Sequence, residues 1–86
     1  MESVLSLLLL SPEKMLYQGE VEEVTVPGTK GPFTILPEHA PIISSLDEGN
    51  VSYKQEGKKT VLKIKNGFVE MKNNQVTVCV ELNKMP

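Results

Sequence analysis

The stretch from Val26 to Pro41, VPGTKGPFTILPEHAP, holds four of the chain's six prolines, two of its six glycines and its one histidine. Proline locks φ and brings no N–H, while glycine tolerates φ > 0, so this stretch can be neither one helix nor one unbroken strand. It reads as a strand end at Thr25-Val26, a tight turn at Pro27-Gly28 backed by Thr29-Lys30-Gly31, and a short strand from Phe33 to Leu36. A second turn and a stiff loop, Pro37-Glu38-His39-Ala40-Pro41, follow. The flanking segments pattern as strands, which makes this stretch the expected corner between two sheets.

Period-2 alternation runs through the rest of the chain. Leu5, Leu7 and Leu9 interleave with Leu8 and Leu10, so the first strand is apolar on both faces and reads as covered on both sides. Met15–Tyr17 and Val21–Val26 form a second β region, with Gly19 as a bend or bulge between them and Val24 and Val26 facing one way. Beyond Asp47-Glu48-Gly49 the pattern is a meander. Val51 and Tyr53 form one inward set and Leu62 and Ile64 another, and Val69 and Met71 precede a last strand lined by Val76, Val78, Val80 and Leu82. Glu56-Gly57 and Asn73-Asn74 read as turns, and Asn66-Gly67 as a type I′ hairpin, whose two central residues need φ > 0. No segment carries a 3.6-residue stripe. The expectation is a single all-β domain over residues 1–86: a flattened sandwich or barrel of about eight to ten short, mostly antiparallel strands.

Bulk properties exclude several function classes. A net charge of −2, with basic residues scattered among acidic ones, gives no electrostatic footprint for nucleic acid. One cysteine rules out an internal disulfide and suits a reducing compartment. The apolar run Val4 to Leu10 is far shorter than the ~20 residues of a membrane-spanning helix. Its acidic flank at Glu2 and the Ser11-Pro12-Glu13 that follows do not make a secretory signal. No direct membrane insertion is expected.

The residues offer little material for catalysis. With His39 the lone imidazole, a histidine cluster or zinc set cannot be built. A His39–Cys79 nucleophile pair is conceivable, but Cys79 lies mid-strand between Val78 and Val80 with nothing nearby to activate the thiol. Gly28-Thr29-Lys30-Gly31 has Glu23 where a phosphate loop needs its first glycine, and no helix follows. The carboxylates Glu20, Glu22, Glu23, Asp47 and Glu48 read as a solvated face. No catalytic residue, metal or cofactor is expected.

Three ordered blocks carry a resemblance: Ser11-Pro12-Glu13-Lys14-Met15-Leu16-Tyr17-Gln18-Gly19-Glu20-Val21, then Pro27-Gly28 through Leu36-Pro37-Glu38-His39-Ala40-Pro41, then Asn66-Gly67-Phe68-Val69-Glu70-Met71 with Asn74-Gln75-Val76-Thr77-Val78. Together they resemble the N-terminal domain of the epsilon chain of F-type ATP synthases, from about Leu5 to about Leu82. The resemblance implies a sandwich of about ten strands and a non-catalytic rotor role, peripheral to the cytoplasmic face of a bacterial inner membrane. The domain would clamp the foot of the gamma stalk and rest on the polar loops of the c-ring, with no homo-oligomer expected. Carried over by position, Ser11, His39 and Ser44 would face gamma, and Lys30, Gly31 and Pro32 the ring.

The chain departs from the family pattern at Pro32, often acidic there, and at Thr34 and Glu38, both often glycine. Pro32 removes a charge and a donor, shifting expected ring contact to backbone, Lys30 and Phe33, and Glu38 implies a position that needs no positive φ. Many members continue into a two-helix hairpin that can block rotation, and in some it binds ATP. Here Asn83-Lys84-Met85-Pro86 is too short for a helix of consequence, so the expected subunit couples stalk to ring without that brake. The rival reading is a free-standing β-sandwich adaptor for a peptide or carbohydrate, which would show an exposed aromatic platform or an unprotected edge strand.

Overall fold

A computed structural model describes residues 4–82. Eight strands follow in order: β1 (Leu5–Leu10), β2 (Met15–Val21), β3 (Glu23–Val26), β4 (Phe33–Ile35), β5 (Ile42–Leu46), β6 (Gly49–Gln55), β7 (Lys58–Lys72) and β8 (Gln75–Leu82). They pair in the order β2-β1-β8-β7-β6-β3-β4, with β5 also on β7, and the sheet is not closed into a barrel. All pairs are antiparallel except β1 with β8, where Leu9 lies opposite Val78. The all-β, mostly antiparallel expectation holds.

The fold is organised around β7, which is 15 residues long. Its first half pairs β6 from Lys58 to Ile64. Its second half pairs β5 on one edge, Gly67 to Met71 opposite Leu46 to Ile42, and β8 on the other. One layer is therefore β5, the second half of β7, β8, β1 and β2; the other is the first half of β7, β6, β3 and β4. Each layer turns one face inward. Leu5, Leu7, Leu9, Val69, Met71, Val76, Val78 and Val80 from the first layer join Val24, Val26, Ile35, Val51, Tyr53 and Ile64 from the second in a single core. Burying each of these aliphatic side chains contributes roughly 1.5–3 kcal/mol. At one side the layers also touch through the rings of Tyr17 and Tyr53, 4.6 Å apart, and through Glu22 N–H donating to Lys54 O at 2.7 Å.

Three local expectations are corrected. Asn66-Gly67 is not a hairpin: both residues lie inside β7, and Gly67 has no positive φ. The inward set still changes from Leu62/Ile64 to Val69/Met71, because a β-bulge places an extra residue, Lys65, between the pairs Ile64–Leu82 and Asn66–Glu81. A bulge adds one residue to one strand, flips the alternation and bends the strand. That bend is one place where the chain passes from layer to layer; the loop between β4 and β5, inside Val26–Pro41, is another, so that stretch does form a corner between the two sheets. Gly19 neither bends nor breaks β2, which runs on to Val21. The β2 irregularity is at Leu16, left over between the pairs Leu9–Tyr17 and Leu10–Met15.

Glu38 supplies the third correction, since its φ is 70° although it is not glycine. The true two-residue turns of the later chain are Glu56-Gly57, at φ 50° and 77°, and Asn73-Asn74, at 53° and 61°. Both have the positive φ pair of a type I′ turn, whose twist matches the strands it joins.

Candidate docking face

The outward face of the five-stranded layer is built from residues that the pairing places in rows. Ser45 lies opposite Phe68, Phe68 opposite Cys79, Cys79 opposite Leu10, and Leu10 opposite Met15, so one row crosses every strand of the layer. The next row is Ile43, Glu70, Thr77, Leu8 and Gln18, and the one after it Lys72, Gln75, Ser6 and Glu20. Apolar character falls from the first row to the third. Ile43 is 76% exposed, Met15 53% and Phe68 50%, whereas Leu8, Leu10 and Cys79 are half-buried among their neighbours. An open groove of about 450 Å³ runs along the first row between Leu10, Ser11, Pro12, Phe68 and Cys79. Its far rim is polar, where Asn66 Nδ2 donates to Glu81 Oε1 at 3.0 Å.

Sequence reasoning missed Met15, Ile43 and Phe68. A signal was present: Ile42 and Ile43 are adjacent in one strand, so one must face out, and the reading of β1 as apolar on both faces pointed to a cover over Leu8 and Leu10.

The residues assigned to a gamma side are spread along this layer. Ser11 borders the groove, and its Oγ donates to Lys14 O at 3.2 Å while accepting Lys14 N–H at 3.3 Å, closing the β1–β2 turn. Ser44 is half-buried on the inner side of β5, between the outward Ile43 and Ser45, and its Oγ donates to Ser45 O at 2.9 Å. His39 is exposed, and its Nδ1 donates to Ala40 O at 2.7 Å, the backbone N–H donating to Leu36 O at 3.1 Å. The loop carrying His39 is tied to Asn74, where β8 begins, while Ser11 lies beyond the Leu10–Cys79 pair near its other end. The rise of ~3.3 Å per residue separates the two by roughly 15–20 Å.

Lys30, Gly31 and Pro32 do sit together, on the β3–β4 turn, where Gly31 N–H donates to Gly28 O at 2.9 Å and Gly31 has φ 124°. That turn is fixed against β5. Thr29 N–H donates to Ser45 O at 3.0 Å, Asp47 N–H donates to Pro27 O at 2.9 Å, and the Thr29 and Ser45 hydroxyls are 2.7 Å apart. It thus flanks the end of the apolar row.

Catalytic chemistry has little to stand on in this geometry. Cys79 lies in the groove and His39 at the other end of the layer, too far apart to act as nucleophile and base. Among the described residues no three His, Cys, Asp or Glu side chains could hold a metal ion, and no helix is long and apolar enough to cross a membrane. Tyr17 has its phenol pushed above its usual range by burial, then by Tyr53, Glu20 and Glu56, which marks a packed ring rather than a reactive one. Aromatic side chains form no exposed platform: Tyr53 is core, Tyr17 and Phe33 pack against it, and Phe68 stands alone.

Comparison with known proteins places this surface in context. Residues 4–83 match the family model described as ATP synthase, Delta/Epsilon chain, beta-sandwich domain. The ATP synthase epsilon chain of Leptospira interrogans serogroup Icterohaemorrhagiae is 42% identical over 77 residues, covering 90% of this chain and 61% of that one. That of Geotalea daltonii is 41% identical over 81 residues, covering 94% and 59%. The chain thus spans about three fifths of the length of these curated relatives. Two solved structures share the fold. One is a chain of the Euglena gracilis mitochondrial ATP synthase OSCP/F1/c-ring structure, with TM-score 0.87, 22% identity, and coverage of 93% of this chain and 52% of that one. The other belongs to the Tetrahymena thermophila mitochondrial ATP synthase central stalk/c-ring structure, with TM-score 0.73, 14% identity, and coverage of 90% and 63%. Nearly the whole chain matches the family model, both of these epsilon chains exceed 40% identity to it, and the strands build the matching sandwich: the chain belongs to the ATP synthase delta/epsilon chain family, as its β-sandwich domain.

Proposed function

We propose that this domain is a non-catalytic part of an ATP synthase rotor, joining the gamma stalk to the c-ring so that torque passes between them. The observation that carries this reading is the apolar row across the outer face. An exposed contiguous apolar surface on a small sandwich is the usual mark of a protein-binding site. In this reading gamma covers Phe68, Leu10, Met15 and Ile43, with Ser11 and His39 at the two ends of the contact and Ser44 holding β5 from within. The Lys30-Gly31-Pro32 turn, fixed to β5 beside the row, meets the polar loops of the c-ring through backbone groups and the Lys30 ammonium. The domain would then sit peripherally at the cytoplasmic face of a bacterial inner membrane and insert nothing into it.

Co-purification of tagged chain with gamma and c-ring subunits tests the reading. Phe68→Asp is expected to lower gamma capture at least tenfold, as loss of a central apolar anchor does, and to leave the melting temperature near that of the parent. Wild-type chain that captures neither subunit would overturn it, and capture of a peptide or glycan instead would favour an adaptor.

A further inference from the structure

The loop that carries His39 is held by a reciprocal pair of hydrogen bonds to a residue far away in sequence. Glu38 N–H donates to Asn74 Oδ1 at 2.7 Å, and Asn74 Nδ2 donates to Glu38 Oε2 at 2.8 Å. Asn74 also accepts Ser6 N–H on its backbone oxygen at 2.8 Å, so one residue ties together the β7–β8 turn, the start of β1 and the loop from Leu36 to Pro41. Glu38 has φ 70° and Asn74 φ 61°. Asparagine tolerates that region, but a glutamate there is uncommon, and it persists where its surroundings hold it. The amide of Asn74 can hold both the N–H and the carboxylate of Glu38 because it carries an acceptor and two donors on one side chain.

Downstream of the loop, Pro41 leads directly into Ile42 and Ile43, and Ile43 is the most exposed of the large apolar side chains in the outward rows. The loop's position therefore sets both His39 and the first residues of β5. We infer that Glu38 and Asn74 are a positioning pair that fixes the His39 loop in the pose that docks against the gamma stalk. The inference rests on the functional reading above, since the docking partner is the one proposed there. Neither residue need touch gamma. Their effect is to order the loop before binding, which removes the ordering cost from the association step.

Asn74→Gly and Glu38→Gln separate this role from a merely structural one. Glycine at 74 keeps the positive φ of the turn and the backbone bond to Ser6 but removes both side-chain bonds. Glutamine at 38 keeps the acceptor facing Asn74 Nδ2 and the backbone N–H. The single histidine gives one set of imidazole resonances, so the loop can be followed by NMR in the free chain without any partner. We expect Asn74→Gly to shift and broaden the His39 imidazole signals, to speed exchange of the Glu38 amide, and to weaken gamma binding by roughly threefold to tenfold. Glu38→Gln should retain the wild-type spectrum and affinity.

Unchanged imidazole signals and Glu38 exchange in a folded Asn74→Gly variant would overturn the pair as a latch. Altered signals with unchanged gamma affinity would overturn its role in docking. Wild-type chain that does not bind gamma overturns the functional reading and with it the docking part of this one, while the imidazole spectrum still decides whether the pair holds the loop.

Discussion

Gly67 shows how a residue can be required for a reason other than the one its neighbours suggest. Asn-Gly favours a turn, yet Gly67 lies flat in β7, and a Cβ built there would collide with the carbonyl oxygen of Cys79 and come within 3.1 Å of the Val80 Cα. The contacts are with the backbone of β8, which cannot swing aside as a side chain could. Gly67→Ala is expected to cost about 2–3 kcal/mol, and Gly67→Val more, by overpacking a sheet interior. Urea unfolding measures both, and an alanine variant as stable as the parent would show that β7 and β8 separate easily. Tyr17 offers a second test at this scale. Its phenol is raised in the folded chain by burial above all, so the folded state holds the proton more firmly than the unfolded state does. The stabilisation is fully present below the unfolded value of 10.0 and is lost as pH rises through the higher folded value. Melting temperature should therefore fall more steeply above about pH 10 in the parent than in Tyr17→Phe, which has no phenol to ionise.

Among the elements, the β6–β7 turn is the place where a better residue is easy to name. Glu56 sits at φ 50° ahead of Gly57, a position where a glutamate is strained and asparagine is at home. Glu56→Asn creates an Asn-Gly type I′ turn and should raise stability by about 0.5–1 kcal/mol, read as a higher urea midpoint at unchanged slope. The bulge gives the opposite case. Deleting Lys65 brings the Ile64–Leu82 and Asn66–Glu81 pairs next to each other with alternation and register kept, but it removes the bend that carries β7 from one layer to the other. We expect that variant to be destabilised, read as a lower urea midpoint than the parent's. These two elements also show what the sequence could and could not reveal. Alternation identified nearly every inward residue, including Val24, Val26, Val51, Ile64, Val69 and Val78, because a buried face enforces period two. A change of phase between Ile64 and Val69 was equally legible, but a hairpin and a bulge produce the same change. Only the partner strand, with Glu81 and Leu82 opposite, distinguishes them. The positive φ of Glu38 was hidden for a similar reason: it depends on Asn74, 36 residues away.

At the scale of the whole molecule the two outer faces differ in kind. One carries the graded apolar rows. The other carries Lys54 and Lys59 beside Glu23, a row of Val61, Ser52, Thr25 and Thr34, and Lys63 opposite Asn50. The Thr25 and Thr34 hydroxyls are 2.8 Å apart. Charge reversal should therefore act asymmetrically. Lys63→Glu on the lysine face is expected to leave gamma affinity within about twofold, in contrast to Phe68→Asp on the apolar face; both are read by titration of gamma into folded variants. The site itself was less legible than the fold. Ser11 and His39 came from a resemblance, whereas the row that joins Phe68 to Met15 requires knowing that β1 lies between β2 and β8, a pairing that no local pattern encodes.

That pairing has a consequence for synthesis. Leu9 is made well before its parallel partner Val78, with most of the domain between them. At ~5–20 residues per second, roughly 3–14 s pass on the ribosome before the two can meet. During that interval β1 can pair only with β2, and its leucines have an open edge on the side where β8 will insert. Stalked between a finished hairpin and a missing neighbour, a nascent chain halted before Gln75 should bind chaperones and resist no protease, while one extended far enough to free Leu82 from the tunnel should snap into the protected state.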